Sequence, residues 1–248
     1  MEFLGRHTVY VEPYFGSGAV LLAKPRVRCE LVNDLDGEVA NFYRMLRDRT
    51  DELVELCELS PCAEKEWRDA KGPSVGSDEL ERARRFFVRT CQSHGSAANG
   101  GWIPSSGTSN LGNKWVRSLR RLRPVAERLQ GVQVASRDAL GMLGSVVGRS
   151  GTAVYLDPPY LMDTVTKGDH YREKDGLSLG HHSQMLDLAV TVDGVVVISH
   201  YDHPMYTEKL AGWNKHVFNS VHTGNPQLGG RTMKSEVVWV NREPSTLF

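Results

Sequence analysis

The chain has 248 residues, of which 40% are hydrophobic and 24% are charged. A chain of this length and composition can bury a substantial core, as one large domain or as a core with an insertion. The formal net charge is zero, which excludes a global attraction to nucleic acid or membranes, so any such surface must be a local patch. Four cysteines without a C-x-x-C pair, and no signal peptide or membrane span, predict a cytoplasmic protein with reduced thiols and no structural metal.

The first predicted elements are a strand, a glycine-rich turn and a helix. The strand over residues 8–12 leads into Pro-Tyr-Phe-Gly-Ser-Gly, and a helix over 19–23 follows. This order is typical of a nucleotide-binding α/β unit, in which Gly16 and Gly18 let a ligand approach the backbone. The spacing is not G-x-G-x-x-G, so a dinucleotide is not indicated. A tight turn without a ligand is the alternative.

A second predicted strand, over residues 28–32, ends in Asn33 and Asp34. An acidic residue at this position, about 20 residues after the glycines, is typical of a group that binds ribose hydroxyls. Asp34 is the candidate, and Asp36 is its nearby rival. Alternatively, Asn33 or Asp34 caps the helix predicted over 37–47.

The alternation of strands and helices stops between residues 50 and 128. Residues 51–89 are charged with a helical pattern, and residues 93–113 form a polar stretch rich in Gly, Ser and Asn. A loop this long is uncommon in a compact domain unless it is functional or disordered. Its basic flanks suit phosphates while loop residues reach base edges, although a solvated helix face is the alternative. The candidate DNA-binding residues are Arg85, Arg89, Asn99, Trp102, Asn110, Lys114, Arg117 and Arg121.

The alternation resumes with a third predicted strand over residues 132–135, which is followed by Asp138. The Asp138 carboxylate suits the amino group of a bound adenine ring, and capping of the next helix, over 139–147, is the alternative. A fourth strand follows over 153–156. The remaining predicted elements are a polar loop over 161–180 that covers the site, a helix over 179–190, a strand over 194–199 with His200 and Tyr201 after its end, and a closing hairpin with strands over 213–221 and 235–241.

The most specific motif is Asp157-Pro158-Pro159-Tyr160, directly after the fourth strand. Ligands of open α/β sheets bind at the carboxyl ends of strands. An amino nitrogen on an aromatic ring is a poor nucleophile, because its lone pair is delocalised, and acceptors for its two hydrogens make it more nucleophilic. Asp157 and the Pro158 carbonyl can supply those acceptors, while Tyr160 stacks on the ring. The motif indicates methyl transfer to a ring amino group, and an ordinary proline turn is the alternative.

Three motifs in this order and spacing resemble the Dam-like DNA adenine methyltransferases: residues 12–18, the Asn33-Asp34 pair and residues 157–160. The resemblance covers nearly the whole chain. It implies a Rossmann-like α/β methyltransferase with a mixed seven-stranded sheet and an inserted small helical target-recognition domain. The catalytic domain would comprise residues 1–49 and 129–248, and the recognition domain residues 50–128.

The resemblance also implies S-adenosylmethionine as the cofactor, double-stranded DNA as the partner and N6 of a flipped adenine as the methyl acceptor. The implied catalytic residues are Asp157, Pro158, Pro159 and Tyr160. The implied cofactor-binding residues are Glu12, Pro13, Tyr14, Phe15, Gly16, Ser17, Gly18, Asp34, Asp138 and Asp157. The family usually has Phe where Tyr14 stands, and a Gly-Lys motif ahead of the first strand that residues 1–11 lack. Alternatives are methylation of cytosine N4 or RNA adenine, or an impaired relative that only binds DNA.

Overall fold

A computed structural model describes residues 2–72, 78–93, 101–102, 110–161, 177–222 and 232–242. The chain divides into two compact units, one comprising Met1–Leu35 with Arg137–Phe248 and the other comprising Asp36–Ser136. The second unit contains the whole of the predicted insertion, residues 50–128. Assigning target recognition to that insertion stays a prediction, and most of the predicted loops over 93–113 and 161–180 lie outside the described residues.

Seven strands form one mixed sheet in the order β3-β2-β1-β4-β5-β7-β6. The strands are β1 (Val9–Glu12), β2 (Cys29–Asn33), β3 (Gln133–Ala135), β4 (Thr152–Leu156), β5 (Val195–Tyr201), β6 (Asn214–His222) and β7 (Thr232–Val240). Strand β1 pairs in parallel with β2 and β4, β4 pairs in parallel with β5, and β7 runs antiparallel to β5 and β6. The predicted Rossmann-like fold with a mixed seven-stranded sheet is confirmed.

The helices in the described part of the chain are α1 (Ala19–Ala23), α2 (Gly37–Asp48), α3 (Thr50–Leu59), α4 (Glu64–Ala70), α5 (Glu79–Cys91), α6 (Leu111–Leu129), α7 (Ala139–Gly144), α8 (Leu179–Ala189) and α9 (Pro204–Lys209). None of these described helices is long and apolar enough to span a membrane. The chain pattern did not predict α9. Its first residue, Pro204, is well suited to a helix start, and the His203 side chain caps it by accepting a hydrogen bond from the Met205 amide at 3.2 Å.

The strand order reverses between β1 and β4, which are neighbours in the sheet although a long stretch of chain separates them. Val11 of β1 lies opposite Val154 of β4, and both side chains are fully buried. In this register β1 ends one residue before β4 does, so Glu12 and Asp157 lie at adjacent carboxyl ends. Such a switch point is where open α/β sheets form a ligand-binding crevice.

The second unit contains helices α2 to α6. The charged stretch predicted as helical, residues 51–89, forms α3, α4 and most of α5. The cap of α2 is Asp36, whose side chain accepts a hydrogen bond from the Glu38 amide at 2.9 Å. The alternative in which Asn33 or Asp34 caps this helix is therefore wrong, because both residues precede the cap and bond elsewhere. Inside this unit, Phe42 and Phe87 stack with ring centroids 5.8 Å apart.

Candidate active site

The turn after β1 has a backbone conformation that favours glycine. The φ angles of Gly16 and Gly18 are +48° and +66°, values that side chains rarely adopt. A Cβ atom at Gly18 would also lie 2.6 Å from Cζ of the buried Phe15 ring. At Gly16 no atom lies within 4 Å of the Cβ position. The backbone at Gly16 therefore faces open space, while Gly18 is fixed by the packing of Phe15.

Asp34 holds this turn through its side chain. Its Oδ2 atom accepts a hydrogen bond from the Gly16 amide at 2.8 Å. The bond joins the carboxyl end of β2 to the glycine turn after β1. The predicted role of Asp34 with ribose stays a prediction, and the structure adds a second role for it in ordering the turn.

Asn33 is a site residue that the sequence reasoning missed. Its buried side-chain amide donates to the carbonyls of Pro13 at 3.0 Å and Arg137 at 2.9 Å, and its Oδ1 accepts from the Arg137 amide at 2.9 Å. Its own carbonyl accepts from the Phe15 amide at 2.8 Å. Asn33 thus ties the turn after β1 to the segment that begins at Arg137. Its position directly before Asp34 was the one available signal.

Three other predicted cofactor residues have defined surroundings. The Oδ2 atom of Asp138 accepts from the Gly141 amide at 3.0 Å, so Asp138 caps α7. The Tyr14 hydroxyl lies 2.7 Å from Nε2 of His181 on α8, and burial raises the pKa of Tyr14. Ser17 is exposed. The capping alternative for Asp138 is therefore realised, while contact of Asp138 or Ser17 with a cofactor stays a prediction.

Glu12, the last residue of β1, is an acid with only 2% of its surface exposed. Burial raises the pKa of its carboxyl to about 8, the Asp157 charge adds to the increase, and the hydrogen bond from the Tyr10 hydroxyl opposes it. That bond is 2.8 Å long, from Tyr10 Oη to Glu12 Oε2. The surroundings therefore favour the neutral form of this carboxyl over its charged form.

Asp157 is the second acid of this pair. Removal of its carboxyl from water raises its pKa to about 7, the charge of Glu236 on β7 adds to the increase, and a hydrogen bond with Tyr155 opposes it. Asp157 also keeps an exposed surface, so water screens part of these interactions. Within the described residues, no group of three or more His, Cys, Asp or Glu side chains is arranged to hold a metal ion.

A buried ion pair lies beside this acidic pair. Lys24 Nζ is 2.6 Å from Glu30 Oε1, with side-chain exposures of 2% and 3%. The same ammonium lies 4.6 Å from the centroid of the Tyr10 ring, and Tyr10 in turn bonds to Glu12. A buried pair of this kind is costly to break, because the remaining charge has no partner. Sequence reasoning missed it, since neither residue belongs to a motif.

The residues of the D-P-P-Y motif (residues 157–160) follow β4 without a break. Pro158 is buried, and within the described residues its carbonyl accepts no hydrogen bond. The carbonyl of Pro159 lies 3.1 Å from Nε2 of His182. The Tyr160 ring stacks on Tyr201, with centroids 4.1 Å apart and planes inclined by 21°. The motif thus combines a carboxylate, a backbone carbonyl and an aromatic ring supported on one face.

The candidate DNA-binding residues differ in whether their side chains already form contacts within the protein. Arg85 forms an ion pair with Glu81 at 2.9 Å, and the Arg89 guanidinium lies 5.3 Å from the centroid of the Phe86 ring. Asn110 caps α6 through a 2.9 Å hydrogen bond from the Asn113 amide. These contacts give Arg85, Arg89 and Asn110 roles within the second unit, and DNA contact stays a prediction for them.

Three of the other candidates lie on α6. The Trp102 ring centroid is 6.2 Å from that of Trp67, and Asn99 lies outside the described residues. Lys114, Arg117 and Arg121 follow the spacing i, i+3 and i+7 along α6, which puts them on one face of the helix. Among the described residues none of the three forms an ion pair, and Arg117 and Arg121 are exposed. We call these three residues the α6 basic face.

Two solved structures align with the chain at low similarity. The yhhF protein of Escherichia coli has a TM-score of 0.37 at 10% identity, over 98% of this chain and 78% of that one. A SAM-dependent methyltransferase from Agrobacterium tumefaciens has a TM-score of 0.29 at 15% identity, over 52% of this chain and 46% of that one. At these TM-scores neither similarity bears on fold or function.

Sequence comparisons are more informative. The family model of D12 class N6 adenine-specific DNA methyltransferases matches residues 2–72, which include the glycine turn and Asp34. The Type II methyltransferase M1.LlaDCHI of Lactococcus lactis subsp. cremoris is 22% identical, and the alignment covers 95% of this chain and 87% of that protein. Both matches agree with the resemblance drawn from the three motifs. Together with the three motifs, these matches support a Dam-like methyltransferase of the D12 class, the class described as N6 adenine-specific DNA methyltransferases.

Proposed function

We propose that this protein transfers the methyl group of S-adenosylmethionine to N6 of an adenine that has left the stack of duplex DNA. The observation that carries the proposal is the arrangement at the switch point. Asp157 and the Pro158 carbonyl lie at the carboxyl end of β4, beside the end of β1 and the open backbone at Gly16. The type II methyltransferase among the relatives makes a restriction-modification system a reasonable setting.

The residues at the switch point fit this cofactor. When bound, S-adenosylmethionine supplies an electrophilic methyl group on a cationic sulfonium. Burial and the Asp157 charge raise the pKa of the Glu12 carboxyl, so a cationic group beside Glu12 would favour its charged form. Gly16 leaves room for the methionine portion, while Asp34 and Asp138 offer carboxylate oxygens for ribose hydroxyls and the adenine amino group.

The chemistry at the target base depends on acceptors and alignment. The Asp157 carboxylate and the Pro158 carbonyl each accept one hydrogen of the adenine amino group, which localises the nitrogen lone pair. Tyr160 stacks on the base and holds it flat. Fixing both reactants contributes about 7–11 kcal/mol in comparable reactions. Extrusion of the base from the duplex costs a few kcal/mol, which the pocket contacts offset.

A labelled-methyl assay tests this proposal. Purified protein is incubated with S-adenosylmethionine carrying a labelled methyl group and with mixed-sequence duplex DNA, and the products are hydrolysed to nucleosides. Label in N6-methyladenine is expected. Label in N4-methylcytosine, or transfer only to RNA, would contradict the proposed acceptor, and absence of transfer would favour a protein that only binds DNA.

Two variants separate catalysis from cofactor binding. Asp157→Ala removes one acceptor and should lower turnover by at least about 10²-fold while leaving cofactor affinity by calorimetry within about threefold of that of the unmodified protein. Gly16→Val should instead weaken cofactor binding, because valine is strained at a φ of +48°. Asp193→Ala, at an exposed acid of the same unit, is the control and should change neither. Normal turnover by Asp157→Ala would rule out its assigned role.

A further inference from the structure

A buried cluster of aromatic and histidine side chains lies behind the D-P-P-Y motif. It consists of His182 on α8, His200 and Tyr201 at the end of β5, and Tyr206 on α9. His182, His200 and Tyr206 have no exposed surface. The ring nitrogens of two neighbouring, fully buried histidines need hydrogen-bond partners within the protein. The chemistry proposed above uses none of these side chains.

His182 contacts the motif through its Nε2 atom. This atom lies 3.1 Å from the Pro159 carbonyl oxygen, and Nδ1 lies 2.6 Å from the Tyr206 hydroxyl. A carbonyl oxygen can only accept, so Nε2 of the neutral ring must carry the hydrogen. The Nδ1 atom then accepts from Tyr206. Burial and the neighbouring His200 and His181 lower the pKa of His182 to about 3, which agrees with a neutral ring.

His200 contacts the motif in the opposite sense. The Leu161 amide donates to Nε2 of His200 at 3.2 Å, and Nδ1 lies 2.9 Å from the Tyr201 carbonyl. An amide nitrogen can only donate, so Nε2 must be unprotonated and Nδ1 must carry the hydrogen. The two histidines are therefore required in opposite tautomers by their partners.

The rings of the cluster also support each other by stacking. His200 lies nearly parallel to Tyr206, with centroids 4.5 Å apart and planes inclined by 11°. Tyr206 bonds to His182, so the two histidines are joined through it. Tyr201 stacks on Tyr160 of the motif at 4.1 Å. One face of the Tyr160 ring is thus supported from within the protein.

We propose that His182 and His200 are positioning residues that fix Tyr160 as the platform for the target base, an inference that rests on the proposed methyl transfer. The two hydrogen bonds bracket Tyr160, because one holds the carbonyl of the preceding residue and the other holds the amide of the following residue. Tyr201 supports the ring between these two points. Neither histidine touches the base or donates a proton to it.

At each histidine, a pair of substitutions tests whether its hydrogen bond to the backbone next to Tyr160 is needed for catalysis. Glutamine places its terminal atoms near the position of a histidine Nε2 atom, whereas asparagine reaches only the Nδ1 position. His182→Gln keeps a donor for the Pro159 carbonyl, and His200→Gln keeps an acceptor for the Leu161 amide. The asparagine variants at the same two positions are too short to form these hydrogen bonds. We expect each asparagine variant to lose about tenfold or more in kcat, since small misplacements have large effects on aligned reactions. The glutamine variants should stay within about threefold, and calorimetric affinity for S-adenosylmethionine should change less than about twofold in all four.

Equal kcat for the asparagine and glutamine variants, or losses confined to KM for DNA, would overturn the proposal. A histidine NMR measurement on the unmodified protein gives a result that depends on neither activity nor the folding of variants. With ¹⁵N-labelled histidine, His182 should be found in the Nε2–H form and His200 in the Nδ1–H form at neutral pH. Either ring in the opposite or charged form would also overturn the proposal. If the unmodified protein transfers no methyl group, the proposed function fails, and the tautomers still confirm or contradict the bracket around Tyr160.

Discussion

At the scale of single residues, one buried amide organises the cofactor side of the site. Asn33 uses both hydrogens of its side-chain nitrogen and its oxygen on backbone groups of Pro13 and Arg137. The side chain has no exposed surface, so water cannot replace a lost partner. Asparagine suits this position because it both donates and accepts, which neither aspartate nor leucine of similar size can do.

The isosteric change Asn33→Asp tests this role. An aspartate carboxylate would face two carbonyl oxygens without a hydrogen to offer, and its charge would be buried without a partner. We expect a loss of about 3 kcal/mol in the free energy of unfolding, measured by chemical denaturation, together with weaker cofactor binding. Asn113→Asp, at an exposed position in the first turn of α6, is the control and should stay within about 0.5 kcal/mol. Equal stability of the two variants would remove Asn33 from the account of the site.

The sequence predicted those site residues whose type and position are unusual in themselves. Asp34 and Asp157 are acids directly after apolar strands, and Gly16 lies in a strand-turn-helix pattern. Asn33, His182 and His200 act instead through partners that lie 104, 23 and 39 residues away along the chain. A local sequence pattern does not indicate partners this far away, so only the structure shows the roles of these three residues.

At the scale of elements, the close approach of β4 and β5 depends on a glycine. A Cβ atom at Gly194 would lie 2.2 Å from the Thr152 carbonyl oxygen, which belongs to the backbone of β4. Backbone cannot move aside as the end of a flexible side chain can. Gly194 therefore lets β5 enter the sheet directly beside the strand that carries the D-P-P-Y motif.

Gly194→Ala should destabilise the protein by about 1–3 kcal/mol, as overpacking of a well-packed core does. The matched control is Gly144→Ala at the end of α7, where no atom lies within 4 Å of the Cβ position. Alanine favours helix over glycine, so the control should be neutral or slightly stabilising. Thermal unfolding followed by circular dichroism gives both values. A Gly194→Ala protein that melts with the control would show that the two strands can separate without cost.

The sequence predicted strand boundaries well where an apolar run is ended directly by a turn residue. The central strands are short apolar runs ended by Pro, Asp or Asn, and they lie within about two residues of the predicted bounds. Strand β5 is longer than predicted, because polar His200 and Tyr201 continue it, with Glu236 and Val237 of β7 as their antiparallel partners. Pairing with β7 extends β5 over these polar residues, and the sequence of β5 alone does not indicate that pairing.

At the scale of the whole molecule, the net charge is zero, but the basic side chains differ in whether a carboxylate pairs with them. In the second unit many arginines are engaged by nearby carboxylates: Arg82 pairs with Glu38, Arg84 with Glu66 and Glu81, and Arg123 with Asp51. The α6 basic face (Lys114, Arg117 and Arg121) forms no ion pair among the described residues. A local positive surface can therefore exist on a chain whose overall charge is zero.

This difference predicts which arginines govern DNA affinity. Each phosphate contact contributes about 0.9 to the slope of log affinity against log salt concentration. We expect Arg117→Gln and Arg121→Gln each to reduce that slope by about one and to weaken binding to all duplex sequences alike. Fluorescence anisotropy with labelled duplexes, titrated at several salt concentrations, measures the slope.

The control for this prediction is Lys65→Gln on α4, which removes the same charge from an exposed lysine that pairs with Asp69. A neighbouring carboxylate already compensates this lysine, so its loss should leave the salt slope unchanged. If the three variants gave equal slopes, affinity would reflect total charge rather than the α6 basic face. If only the α6 variants lowered the slope, phosphate binding would be assigned to α6, and the search for base-reading residues would turn to the polar segments that flank it.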